Sequence, residues 1–149
     1  MKECNEYKNC LNKKEDCKTS PYAEGIKELK IRFWEEISNL CFACIQELRG
    51  VSKKTKCLCF LKDKVLIPAK DELEKENKNP ILLDFLAVSG YLNNPAQLNR
   101  DIGLLNRGIK HYWLFFEKAE FSAKEKGYLI ALFYNLSLKS ETKIKELTQ

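Results

Sequence analysis

The sequence predicts an all-α, single-domain protein, built as a helical bundle or orthogonal array of about five or six helices. Apolar residues recur at steps of three and four in several long segments, as they do on the buried face of an amphipathic helix. Helix-start signals precede four of these segments, and only four prolines and six glycines interrupt 149 residues. We expect residues 20–149 to form the helical domain and residues 1–19 a polar, cysteine-containing tail.

The first helix is expected to begin at Ser20-Pro21 and to end at Gly50, since serine caps helices, proline suits the first helical position and glycine suits the C-terminal cap. Its apolar stripe consists of Ile26, Leu29, Phe33, Ile37, Leu40, Cys44 and Leu48, widened by Trp34, Cys41 and Ile45. Ser52 is expected to cap a second helix, which Pro68 must kink or end. The apolar residues of that helix are Leu58, Leu61 and Val65.

Three further helices follow a short, charged, exposed helix expected within residues 69–79. Asn79-Pro80 opens a helix through Ile81, Leu82, Phe85, Leu86 and Val88. Asn94-Pro95 opens a helix whose heptad seam consists of Leu98, Ile102, Leu105, Ile109, Tyr112 and Phe116. The capping box Ser122–Glu125 opens the last helix, through Leu129, Leu132, Phe133 and Leu136 and onward to Ile144 and Leu147. No strand is predicted.

The cysteines are the most unusual chemistry in the chain, because all seven lie within the first 59 residues. Cys41 and Cys44 lie one turn apart on the first helix, and Cys57 and Cys59 follow on the next element, so these four are the candidate ligands of a zinc ion or an iron–sulfur cluster. Buried thiols without a ligand and disulfides are the alternatives.

A helical C-x2-C with an upstream cysteine is similar to the motif of zinc-containing anti-sigma factors. That motif also places a histidine four residues before its first cysteine, and Ile37 stands there in this chain. The only histidine is His111, far away in the sequence. The resemblance therefore lacks its diagnostic ligand, and the metal site depends on the cysteine spacing.

Two basic clusters are candidates for nucleic-acid binding, with a solvated helix face as the alternative for each. The chain carries 26 basic and 21 acidic residues, a formal charge of +5, which also fits ordinary solubility. The first cluster consists of Arg49, Lys53, Lys54, Lys56, Lys62 and Lys64. The second consists of Arg100 and Arg107, with Lys110 or His111, opposite the heptad seam.

The aromatic segment His111–Phe116 is apolar nearly all round a helix, so Trp113, Leu114 and Phe115 need a cover beyond the seam. The final helix of the same chain is one candidate cover. A partner protein or a second copy is the other, because aromatic residues are enriched at interface hot spots.

These patterns predict a non-enzymatic helical interaction protein, which would be an adaptor or a small subunit of a larger complex. In one version of this prediction the complex contains nucleic acid. The alternative is a cysteine-ligated zinc or iron–sulfur module with a regulatory or sensing role. An enzyme with an unrecognised site is third, since no catalytic constellation stands out. A cytoplasmic location without membrane association is expected, because the N-terminus lacks a signal-peptide core and no apolar run is long enough to span a bilayer.

Overall fold

The computed structural model describes residues 21–50, 55–112 and 116–149. In these residues the chain forms five helices, if the run from Lys56 to Glu72 is counted as one, and one short hairpin. The helices are α1 (Pro21–Leu48), α2 (Lys56–Leu61) continuing through a π-helical turn (Lys62–Leu66) into α3 (Ile67–Glu72), α4 (Pro80–Ser89), α5 (Pro95–Gly108) and α6 (Ala123–Thr148). The strands are β1 (Ile109–Tyr112) and β2 (Phe116–Ala119). The all-α prediction is confirmed, with this hairpin as an addition.

The long helices α1 and α6 pack antiparallel and form the centre of the fold. The Oγ atoms of Ser38 and Ser137 lie 3.4 Å apart halfway along the pair. Near one end of the pair, Asp84 of α4 accepts a hydrogen bond of 2.8 Å from Trp34 Nε1. The same carboxylate lies 3.8 Å from Lys30 Nζ and 3.4 Å from Lys143 Nζ, so it ties α1, α4 and α6 together.

The hydrophobic core lies between this pair and the shorter helices. Its largest fully buried apolar side chains are Trp34, Phe85, Phe133, Ile37, Leu58, Leu61, Leu66, Leu86, Leu98, Leu105 and Leu129. The ring centroids of Trp34 and Phe85 are 6.0 Å apart in a stacked arrangement. One residue of the expected α1 stripe is misplaced, since Leu29 is 51% exposed.

The ends of the helices follow the predicted signals in most cases. Gly50 and Gly90 take the left-handed conformation that glycine adopts without steric cost, with φ of 78° and 88°. Asn79 accepts a hydrogen bond from the backbone N–H of Ile81 at 2.8 Å, and Asn94 caps α5. The capping box of α6 is present in both directions. Ser20 lies outside the described residues.

Two predictions about the second helix need correction. The residue before its first turn is Thr55, three positions after the expected cap at Ser52, and Ser52 lies outside the described residues. Pro68 was expected to kink or end the helix, and of these two outcomes the end is wrong, because the helix continues to Glu72. A π turn, in which Ile67 N–H donates to Lys62 C=O, precedes the proline, and such a turn accommodates a residue that lacks its own N–H.

The charged helix expected in residues 69–79 is also wrong beyond Glu72. Glu72 is buried, and it accepts hydrogen bonds from Asn79 N–H (3.0 Å) and Lys75 Nζ (3.1 Å). Lys78 Nζ donates to three backbone carbonyls at the end of α3, the closest at 2.8 Å. Lys78 thus satisfies carbonyl groups at the end of α3 from outside the helix. The segment after Glu72 therefore folds back as a turn.

The heptad seam from Leu98 to Phe116 is the main error of the sequence analysis. Helix α5 ends at Gly108, and Ile109 begins a strand that pairs antiparallel with β2, with Ile109 opposite Ala119 and Tyr112 opposite Phe116. β-branched and aromatic residues favour strands, and they replace the good helix formers at this point. Trp113, Leu114 and Phe115 lie outside the described residues, so the partner surface assigned to them stays a prediction.

The hairpin packs back on the end of α5. The backbone N–H of Glu120 donates to Gly108 C=O at 2.6 Å. The ring of Phe121 occupies the place where a Cβ of residue 108 would lie. Glycine at this position therefore lets the chain leave the helix and return beside it.

Candidate nucleic-acid interface

A cleft of about 620 Å3 opens between α5 and the first two turns of α6, and we call it the α5–α6 cleft. Its size falls within the range of about 300–1,000 Å3 that is typical of ligand sites. The residues around its mouth and walls are Arg100, Gly103, Leu104, Arg107, Lys124 and Tyr128. Arg100 and Arg107 come from one face of α5, because residues seven apart are two turns apart along a helix.

A buried carboxylate forms the floor of the cleft. Asp101 is 1% exposed. Its Oδ2 accepts a hydrogen bond from Tyr91 Oη at 2.6 Å, and its Oδ1 accepts from Tyr128 Oη at 2.6 Å and from Gln97 Nε2 at 2.9 Å. Gln97 Nε2 also donates to Tyr128 Oη at 2.8 Å. The hydrogen bonds with Asp101 and Gln97 hold the ring of Tyr128 at the mouth of the cleft, where this residue is 42% exposed.

The phenols of this network stay protonated near neutral pH. Burial, followed by the hydrogen bond and the charge of Asp101, raises the pKa of Tyr128 to about 12, while Gln97 and the charge of Arg100 lower it. The same causes, burial first, raise the pKa of Tyr91. The network therefore suits a structural role better than proton exchange. The effect of Arg100 on the pKa of Tyr128 also shows that these two residues lie close together.

Arg107 is held at the other end of the cleft by Glu125. Arg107 Nη2 donates to Glu125 Oε2 at 2.7 Å, and the N–H of Ser122 donates to Oε1 of the same carboxylate at 2.8 Å. The hydrogen bond from Ser122 and then the pairing with Arg107 lower the pKa of Glu125. The capping box of α6 thus also positions a cation of α5.

The hairpin that follows α5 carries two more cations. Lys110 and Lys118 are exposed and directly opposite each other across β1 and β2. Directly opposed residues of an antiparallel pair lie on the same face, and like charges in this arrangement destabilise the sheet. With Arg100, Arg107 and Lys124 they form what we call the basic surface, five cations on α5, the hairpin and α6.

The first basic cluster expected to bind nucleic acid lies on other elements than α5 and the hairpin. Arg49 lies at the end of α1 in a different groove, which it shares with Phe42 and Tyr134. Lys56 and Lys64 are exposed on the α2–α3 helix, and Lys62 pairs with Asp63 at 3.6 Å. Lys53 and Lys54 lie outside the described residues. Binding by this first cluster stays a prediction.

The four cysteines named as metal ligands gather near the junction of α1 and α2. Cys41 and Cys44 are fully buried, and Cys57 and Cys59 are half-buried. Within residues 21–50, 55–112 and 116–149, no three side chains of histidine, cysteine, aspartate or glutamate come together as metal ligands. The zinc or iron–sulfur site stays a prediction, and a disulfide among these four is absent.

The environment of these thiols favours the neutral form. Burial raises the pKa of Cys41 to about 12, and it raises the pKa of Cys44, with smaller contributions from the neighbouring cysteines and Glu47. Burial and a hydrogen bond to Glu47 raise the pKa of Cys57 to about 11. Glu47 also accepts the N–H groups of Cys57 (2.8 Å) and Leu58 (3.0 Å), so it caps α2 from α1.

Sequence reasoning found Arg100 and Arg107 but missed Lys118, Lys124, Tyr128 and Asp101. Asp101 had a recognisable signal, because it lies on the apolar stripe of α5, three residues after Leu98 and four before Leu105. An acidic residue in such a position needs hydrogen-bond donors from other elements. The lysines had no signal, since their proximity depends on the hairpin.

Comparison with known proteins found no matching family model, no curated protein and no solved structure similar to this chain. No helix in the described part of the chain is both long enough and apolar enough to cross a membrane. The functional argument therefore depends on the geometry of the basic surface and the α5–α6 cleft.

Proposed function

We propose that this chain is a non-enzymatic helical interaction protein that binds nucleic acid along the basic surface. The observation that supports this proposal best is that three cations, Arg100, Arg107 and Lys124, line one cleft that also presents the ring of Tyr128. Lysine and arginine bind phosphates and release condensed counterions, which is the main source of sequence-independent affinity for nucleic acids.

The spacing of the cations favours a chain of phosphates over a single anion. Arg100 and Arg107 are about 10 Å apart along the axis of α5, given a rise of about 1.5 Å per residue. Lys110 and Lys118 extend the cations beyond the end of that helix. The opposed lysine pair is unfavourable in the free protein, and a phosphate between the two side chains would relieve the repulsion.

The test compares two triple variants with the same loss of charge. Arg100→Gln, Lys118→Gln and Lys124→Gln together neutralise the basic surface but leave the Arg107–Glu125 pair intact. Lys70→Gln, Lys139→Gln and Lys145→Gln together neutralise three exposed lysines that belong to neither basic cluster. Fluorescence anisotropy with a labelled oligonucleotide, measured at several salt concentrations, gives the affinity and its dependence on salt.

We expect the first variant to bind weakly and its salt slope to fall by about 2, since each phosphate contact to a single strand contributes about 0.7. The control variant should bind like the wild-type chain. Equal loss in the two variants would overturn the assignment, because net charge alone would then explain binding. Effective competition by polyglutamate would also overturn it, since the partner would then be any acidic polymer.

A further inference from the structure

We infer that the α5–α6 cleft accepts one unstacked base of a single strand, with the flanking phosphates on Arg100 and Lys124 and the base against the ring of Tyr128. This inference rests on the proposed function and specifies the form of the nucleic acid. In this arrangement the cleft binds a base of a single strand and not a base of a duplex.

The tyrosine is arranged as a fixed stacking surface. Its hydroxyl is bound by Asp101 and Gln97, so the ring keeps one orientation although 42% of the residue is exposed. An aromatic ring that is already ordered loses little conformational entropy when a base stacks on it. Proteins that bind single strands combine such rings with a basic groove, and each stacked base contributes about 1–3 kcal/mol.

The wall of the cleft also contains a glycine, Gly103. Gly103 lies in the interior of α5, where glycine is less favourable than alanine by about 1 kcal/mol. No atom lies within 4 Å of the Cβ that another residue would add there. The cleft beside Gly103 therefore leaves room for a ligand that approaches the backbone of α5.

A duplex does not satisfy this geometry, because its bases are stacked on one another and paired inside the helix. The exposed phosphates of a duplex can still contact the basic surface. Changes inside the cleft should therefore lower the affinity for single strands but not for duplexes. Changes of surface charge should lower the affinity for both.

The experiment measures the affinity of the full chain for a single-stranded oligonucleotide and for its duplex. Tyr128→Ala removes the ring, and Gly103→Leu fills the cleft without removing any contact. Tyr134→Ala is the matched control, since this tyrosine lies on the same helix, is 57% exposed and lines the groove between α1 and α6. Circular dichroism checks that each variant is folded.

We expect Tyr128→Ala and Gly103→Leu to weaken single-strand binding about tenfold to hundredfold and to leave duplex binding within a factor of two. Tyr134→Ala should change neither. If both cleft variants bind single strands like the wild-type chain, or lose duplex to the same extent, the inference is wrong. The proposed function is tested separately by charge neutralisation, so it survives that result, whereas a wild-type chain that binds neither oligonucleotide would contradict both.

Discussion

Two glycines of α5 should respond to alanine substitution with opposite signs. Gly103 lies in the helix interior with no atom within 4 Å of an added Cβ, so Gly103→Ala gains helix propensity without a clash. We expect an increase of about 1 kcal/mol in the free energy of unfolding, or about 2–4 °C in Tm for a chain of this size. Gly127→Ala on α6 should also increase the free energy of unfolding, because no atom lies within 4 Å of its added Cβ.

Gly108→Ala should instead destabilise the protein. The ring of Phe121 occupies the position of the added Cβ, and that ring is buried at 8% exposure. Overpacking of this kind costs about 1–3 kcal/mol, and complete expulsion of the ring would approach the 3–5 kcal/mol of a phenylalanine-to-alanine change. Because Gly108 is the last helical residue, little propensity is gained in return.

Thermal and urea unfolding, followed by circular dichroism, measure both effects. A double-mutant cycle identifies the cause, since Gly108→Ala should be nearly neutral in a Phe121→Ala background. Equal stabilisation by Gly103→Ala and Gly108→Ala would refute the packing of the hairpin against the end of α5. A destabilising Gly108→Ala that persists without the Phe121 ring would refute its proposed cause.

Three further outcomes are expected. Trp34→Phe removes the donor to Asp84 in the core and should lower the free energy of unfolding by about 1–3 kcal/mol in a urea titration. Glu125→Gln keeps a capping-box residue but removes a negative charge beside Arg107, so oligonucleotide affinity should rise while Tm changes little; reduced affinity would contradict this. Since the pKa of Cys57 is raised from 9.0 to about 11, the folded state favours the protonated thiol of this residue. The stability that the protonated thiol contributes should be present below about pH 9 and should be lost as the pH rises to about 11. Iodoacetamide labelling of Cys57 at pH 8 that is as fast as in urea would contradict the last expectation.

The sequence was sufficient where local chemistry determines the structure. The asparagine caps, the capping box of α6 and the left-handed Gly50 each depend on a few adjacent residues, and all are present. The helical fold class follows from the same signals. The short helix expected after Pro68 failed because Glu72 and Lys78 bind groups several residues away, which periodicity does not reveal.

The seam beyond Gly108 could not be decided from periodicity alone. Ile109, Tyr112 and Phe116 continue the steps of three and four, yet they also have high strand propensity. The pairing with residues 116–119 and the contact between Gly108 and Phe121 decide in favour of the hairpin, and both are tertiary. This difference also changed the candidate site, because Lys110 reaches the basic surface from a strand rather than from α5.

The burial of α1 shows a similar limit. The sequence predicts two parallel apolar lines, and the structure buries residues of both, while it exposes Leu29 of the first line. The direction from which α4 and α6 approach decides which positions of the two lines are covered. Both lines satisfy the helical period equally, so periodicity could not rank them.

Hydrogen exchange of the full chain, with and without a saturating single-stranded oligonucleotide, tests most directly whether the basic surface is the binding site. We expect slower exchange in residues 97–112 and 123–130, which carry the α5–α6 cleft and the first strand of the hairpin, and no change in residues 34–48 and 56–72. Protection confined to residues 56–72 would place binding on the α2–α3 helix and contradict the assignment. Exchange that is unchanged throughout these segments, at a concentration that saturates binding by anisotropy, would contradict it as well.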